Sequence, residues 1–173
     1  VSETTQAWSV LSGDKLQKFK GATIAETLSE TPGVSQTGFG PSANRPIIRG
    51  LDKFRVRILQ NGTDTFDVSA QSEDHAVSVD PLLIDRIEVL RGASALLHGG
   101  SAIGGVVNVI DGRIPEVVPE KPAIMFEQTH NNNNDESRSL FRLDAGKGNF
   151  AFHIEGFERS SNNVEIPGLA IDT

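Results

Sequence analysis

Asp74 and His75 set a carboxylate beside an imidazole, with Glu73 adjacent, in the polar run Gln71-Ser72-Glu73-Asp74-His75-Ala76. Oxygen and nitrogen donors of this kind suit zinc or a similar divalent ion, which takes three or four protein ligands in near-tetrahedral geometry. Two neighbours on one loop are too few, so the remaining ligands would have to come from elsewhere. His130, beside Asn131–Asn134 and Asp135-Glu136, is a further candidate, because a histidine among carboxylates makes a weak metal site. An exposed polar loop is the commoner setting for both groups. His98 reads as a packed residue and His153 as one on the polar face of a strand, and neither is given a role.

Other chemistries find little support. The chain has no cysteine, which removes disulfides and thiolate metal sites. The glycines from Gly99 to Gly105 are not followed by Gly-Lys-Ser/Thr and lack the G-x-G-x-x-G spacing, so they read as tight turns and close backbone approach rather than a phosphate loop. No Ser-His-Asp or Cys-His order points to an enzyme, and catalytic residues are not assigned. A net charge of −7 and a pI near 5.1 argue against nucleic acid as a partner. No apolar run reaches the roughly 20 residues of a membrane-spanning helix.

Several elements must position these residues. Trp8-Ser9-Val10-Leu11 is a short β-run, followed by a weak helix over Lys15–Phe19. Thr23-Ile24-Ala25-Glu26 reads as a capping box, with the Thr23 hydroxyl accepting from the Glu26 amide and the Glu26 carboxylate reaching back to the Thr23 amide. Thr31-Pro32-Gly33 stops that helix. Residues 38–46 form a loop, Arg55–Leu59 alternate before the hairpin turn Asn61-Gly62, and 66–79 are polar and irregular. Asp80-Pro81 caps a short turn that feeds the strand Ile84–Leu90. Pro115, Pro119 and Pro122 mark a linker. Three β-runs follow, over Ala123–Gln128, Ser137–Ala145 and Phe150–Phe157. In the last, Phe150, Phe152 and Ile154 share one face and Ala151, His153 and Glu155 the other, which suits a transmembrane barrel wall or an ordinary soluble hairpin.

The order of motifs decides between those alternatives. Trp8–Leu16, Leu28-Ser29-Glu30-Thr31-Pro32-Gly33-Val34, Ile48-Arg49-Gly50, Arg57–Gly62 and above all Ile84–Ile110 together resemble the plug domain of TonB-dependent outer-membrane receptors. Asn61 replaces a usual aspartate, Ala93 stands where proline is common, and His98 where an aromatic is usual. The resemblance implies an α+β plug domain over residues 1–115, with a mixed four-stranded sheet, short helices and long loops. A linker over 116–122 and antiparallel strands of an incomplete transmembrane β-barrel over 123–173 would follow, from a barrel of about 22 strands. The chain is thus expected to be a fragment of a receptor in the outer membrane of a Gram-negative bacterium.

In that family the plug blocks the barrel lumen, forms the floor of the ligand site, and is rearranged when energised TonB pulls a peptide box. Val1–Ala7 does not match the box, which is expected upstream. The resemblance implies that Arg49, Glu88 and Arg91 join a charge cluster against acidic residues of the barrel wall. The Asp74-His75-Ala76 segment followed by Val79-Asp80 is similar to ZnuD-like zinc receptors, which makes zinc the expected cargo, with no cofactor required. The partners implied are the protein's own barrel, TonB and the outer membrane. A siderophore or haem receptor plug, and a free-standing secreted β-rich binding module, are the alternatives.

Overall fold

The computed structural model describes residues 8–163; Val1–Ala7, compared above with the TonB box, lie outside them. In chain order the elements are β1 (Trp8–Ser12), α1 (Gly13–Phe19), α2 (Ile24–Thr27), β2 (Val34–Gln36), β3 (Pro46–Ile48), β4 (Val56–Gln60), β5 (Thr63–Asp64), β6 (Ile84–Leu90), β7 (Gly105–Asp111), β8 (Ala123–Asn131), β9 (Glu136–Lys147) and β10 (Phe150–Ser160). Short 3-10 turns at Lys53–Arg55, Val68–Ala70, Pro81–Leu83 and Gly92–His98 fill the connections. No described helix is long and apolar enough to cross a membrane, which leaves strands untouched. The chain divides into two compact units, one up to Gly112 and one from Arg113 on.

The first unit is α+β, built on a mixed sheet of order β1-β6-β7-β4-β5. The sheet has five strands where four were expected. The addition is β5, two residues that pair back on Leu59 and Gln60 across the Asn61-Gly62 turn. Both turn residues have positive φ, 50° and 78°, as a two-residue hairpin turn requires. β4 runs parallel to β7, and the other pairings are antiparallel. β2 and β3 pair separately and bracket the loop between them.

Apolar side chains cover both faces of the central strands. On one face Val56, Ile58, Ile87, Val89, Val107 and Val109 pack with Leu16, Ile24 and Leu28 of the helices. On the other, Leu59 and Val106 pack with Ala95 and Ala102 of the segment between β6 and β7. Strict alternation therefore fails at Ile58-Leu59 and at Val106-Val107, all four buried, because a central strand sandwiched between two layers buries consecutive residues. Leaving that face exposed would make the same run a poor strand for water.

The expected caps form, with one change. The Thr23 hydroxyl accepts from the Glu26 amide at 3.1 Å, but the Glu26 carboxylate accepts from the Ala22 amide at 2.7 Å rather than from Thr23. Asp80 accepts from the Leu82 amide at 2.9 Å, with Pro81 opening the turn.

The second unit contains an antiparallel meander of order β10-β9-β8, each strand longer than the sequence pattern suggested. The register aligns Ile124, Leu143 and Ile154 across the sheet, with Phe126 opposite Phe141, on one face. Met125, Arg142 and Glu155 align on the other, beside Asp144 and His153. The apolar face is the exposed one: Phe126, Phe150 and Phe152 are 68%, 71% and 60% accessible. On the polar face Arg138 and Arg142 are buried, and Arg142 pairs with Glu155 at 3.2 Å.

Candidate functional site

A tight turn presents Arg49, and the end of β6 presents Arg91. Ile48 and Leu51 exchange backbone hydrogen bonds of 2.9 Å, and Arg49 and Gly50 between them have φ of 51° and 78°. Glycine takes such a conformation freely and arginine does not. The turn thus holds Arg49 exposed at its tip, with its own amide donating to Gly33 O at 3.1 Å. Arg91, at the end of β6, is buried and donates to Ser9 Oγ and to Pro32 O, both at 3.0 Å. Burial lowers its pKa below the ordinary arginine value, and the positive charge of Arg49 adds to the effect, so the two cations share a neighbourhood. Glu88 is held differently: it accepts from Arg86 Nε at 3.0 Å and from Asn108 Nδ2 at 3.1 Å.

The metal candidates are only partly brought together. Asp74 Oδ1 lies 2.9 Å from His75 Nδ1 and also accepts from the Ser72 hydroxyl. These two hydrogen bonds, Ser72 first, hold the Asp74 pKa below the ordinary carboxylate value. Glu73 is turned to Lys53, whose Nζ lies 2.7 Å away. His130 belongs to the second unit, where its Nε2 is 3.7 Å from Asp135 Oδ1. Among the described residues no three histidine, cysteine, aspartate or glutamate side chains converge as a metal site.

A cleft of about 310 Å³ in the first unit gathers residues that the sequence did not single out. Its floor is a charge network. Arg45 is buried, with Nη1 3.3 Å from Asp67 Oδ1 and also donating to Ser69 Oγ, and with Nη2 3.3 Å from Val56 O. Burial pulls the Arg45 pKa down and Asp67 partly offsets it. Beside it Arg57 Nε donates to Asp64 Oδ2 at 2.8 Å, and the guanidinium also reaches the carbonyl of His98. Burial raises the Asp64 pKa, but hydrogen bonds from the Phe66 amide and Arg57 outweigh it and the net shift is downward.

The walls of the cleft include Phe54 and Phe66, 63% and 84% exposed. Phe66 has φ of 50°, a rare conformation for a bulky residue. Its backbone amide donates a hydrogen bond to Asp64 Oδ1 at 2.9 Å, which fixes it there. With its arginines matched by aspartates and two exposed phenylalanines in its walls, the cleft can bind an apolar or aromatic surface. No motif could have shown this site. Arg45 and Asp67 are 22 positions apart and meet only because the β4–β5 hairpin turns the chain back.

Comparison with known proteins agrees with the fold. The model of the TonB-dependent Receptor Plug Domain matches residues 1–106. The ferrioxamine receptor of Yersinia enterocolitica is 31% identical over 168 residues, covering 93% of this chain and 22% of that protein. The hemin receptor of Yersinia pestis is 35% identical over 103 residues, 57% of this chain and 14% of that protein. The siderophore receptor PirA of Acinetobacter baumannii superposes with a TM-score of 0.69 at 21% identity, covering 92% of this chain and 25% of that one. The match thus spans only 22% and 14% of the length of these two curated relatives.

Proposed function

The chain belongs to the TonB-dependent receptor plug family, whose members reside in the outer membrane of Gram-negative bacteria, and on that premise we propose that its first unit gates an importer and its second unit begins the surrounding barrel wall. The observation that carries the reading is the inverted surface of the β8–β10 meander. Its phenylalanines and isoleucines are exposed while Arg138 and Arg142 on the opposite face are buried, the pattern of a strand set with lipid on one side and a polar lumen on the other. The outer edges of β8 and β10 have no partner strand among the described residues, the places where a barrel sheet would continue.

The gate is held by polar contacts. Arg49, exposed at its turn, supplies a cation that acidic groups of the wall can match, while Arg91 is bonded to Ser9 and Pro32 and Glu88 to Arg86 and Asn108. A plug seated by ion pairs moves without exposing an apolar interface. TonB supplies the pull.

The cargo is a scarce metal-bearing nutrient. An iron–siderophore complex or haem is supported by the Yersinia relatives and by the aromatic-walled cleft, which suits a ligand with apolar surface better than a bare ion. Zinc is a second reading, carried by the hydrogen-bonded Asp74–His75 pair alone.

Cells making the full-length protein should take up one such cargo only when TonB is present. Removal of residues 8–112 should leave a pore that admits a bulky hydrophilic antibiotic excluded by the intact protein. Equal antibiotic exclusion by both forms would refute the gate. For the cargo, loss of uptake of zinc but not of iron complexes in Asp74→Ala/His75→Ala would favour the second reading.

A further inference from the structure

We infer that the turn between β8 and β9, together with the segment just past β10, forms a binding site for calcium. A cleft of about 340 Å³ opens there, lined by His130, Asn132, Asn134, Asp135, Asn162 and Asn163. Five of these six residues present carboxylate or amide groups, a lining rich in hard oxygen donors with the His130 imidazole as its one ring. Calcium takes six to eight oxygens from carboxylates, amide carbonyls and water in flexible geometry, which is what such a lining offers.

Asn134 points to a ligand independently of the clustering. It is only 5% exposed, it lines the cleft, and its Oδ1 has no hydrogen-bond partner. An unsatisfied buried amide oxygen carries a real cost. Its orientation is not arbitrary, because Nδ2 faces Glu136 Oε2 at 3.5 Å. A flipped amide would set oxygen against a carboxylate that Arg159 holds at 2.6 Å. The oxygen is therefore the end left over, and a cation satisfies it.

The two chain segments are already tied. The Asn162 amide donates to Asn134 O at 2.8 Å, and Asn162 Nδ2 donates to Asp135 Oδ2 at 3.1 Å. A calcium ion held by Asp135 and the asparagine oxygens would fasten the β8–β9 turn to the chain leaving β10. His130 stands at the rim, with its Nε2 3.7 Å from Asp135 Oδ1, and is not a ligand. With one carboxylate in the lining, affinity falls in the weak class of calcium sites, about 0.1–1 mM. The inference does not depend on the gating or cargo reading.

The test is calorimetric titration of the full-length protein in detergent with calcium chloride, after divalent ions have been stripped with a chelator. Saturable binding should weaken about tenfold or more in Asp135→Asn and tighten by about tenfold in Asn132→Asp, because ligand charge sets calcium affinity. A gain of affinity is a readout that misfolding cannot mimic. His130→Ala should leave calcium binding within about twofold. Identical calcium binding in the wild type and Asp135→Asn, or no saturation by about 10 mM, would overturn the site. So would tight zinc chloride binding that His130→Ala abolishes while calcium gives no heat, since the cleft would then be a transition-metal site.

Discussion

Asp67 carries more of the first unit's stability than its place in a polar loop suggests. It meets the buried Arg45 guanidinium at 3.3 Å, and both side chains are more than nine-tenths shielded. Asp67→Ala removes one partner and leaves the other charge buried, which costs about 3–5 kcal/mol. Asp67→Asn keeps an acceptor and should lose less. Denaturant unfolding of the full-length protein should show the midpoint of the first unit falling in that order, and equal midpoints for wild type and Asp67→Ala would refute the pairing. Nothing in Arg45-Pro46 or Asp67-Val68 marks this pair in the sequence. What the motifs do mark, Arg49 and Arg91, are brought near one another, whereas Glu88 is occupied within its own sheet. Asn61 shows how a departure from a family pattern can have a local reason. Its Nδ2 donates to Asp111 Oδ1 at 2.9 Å while its Oδ1 accepts from the Asp111 amide at 3.1 Å. An aspartate there would set two carboxylates face to face.

Among the strands of the first unit, β7 places the tightest demand on residue type. A Cβ on Gly105 would meet Leu90 O at 2.8 Å and Ile48 Cδ1 at 2.9 Å, and its φ is +151°. One on Gly104 would meet Arg55 O and Leu51 Cβ, both at 2.9 Å. These are backbone and packed core atoms that cannot swing aside. Gly105→Ala should therefore cost about 1–3 kcal/mol, the range for overpacking a filled core. Gly148→Ala, also at positive φ but with nothing within 4 Å, should cost only its backbone term. Comparing the two by thermal unfolding separates steric crowding from backbone strain, and equal losses would refute the crowding. The glycines are legible in sequence as points of close approach, but the neighbours they admit are not. Those come from β3, the 51–55 segment and β6, and their approach depends on sheet order. The extra strand β5 escapes the sequence pattern for a related reason: two residues, Thr63-Asp64, carry no periodicity, and only the register imposed by Asn61-Gly62 makes them a strand.

At the scale of the whole molecule, the two units follow opposite rules for apolar side chains. The first hides its valines, leucines and isoleucines on both faces of a sheet. The second exposes phenylalanines from all three of its strands. The alternation in Phe150–Glu155 is plain in the amino-acid sequence, but alternation alone does not say which face meets which solvent. Burial of the arginine face and exposure of Phe126, Phe150 and Phe152 supply the missing direction. If that face meets lipid, Ile154→Arg, near the middle of β10, must carry a guanidinium into the hydrocarbon layer, at a cost of about 2–4 kcal/mol near the bilayer midplane. If it meets water, the same change is an ordinary surface substitution, within about 0.5 kcal/mol. Ile154→Leu should be nearly neutral in lipid, which separates a change of shape from the gain of charge. Reversible unfolding of the full-length protein in lipid vesicles would measure all three. A loss of several kcal/mol confined to the arginine variant assigns the face to the membrane. Near-equal stabilities would instead favour a β-rich binding module, and the barrel-wall reading would have to be withdrawn.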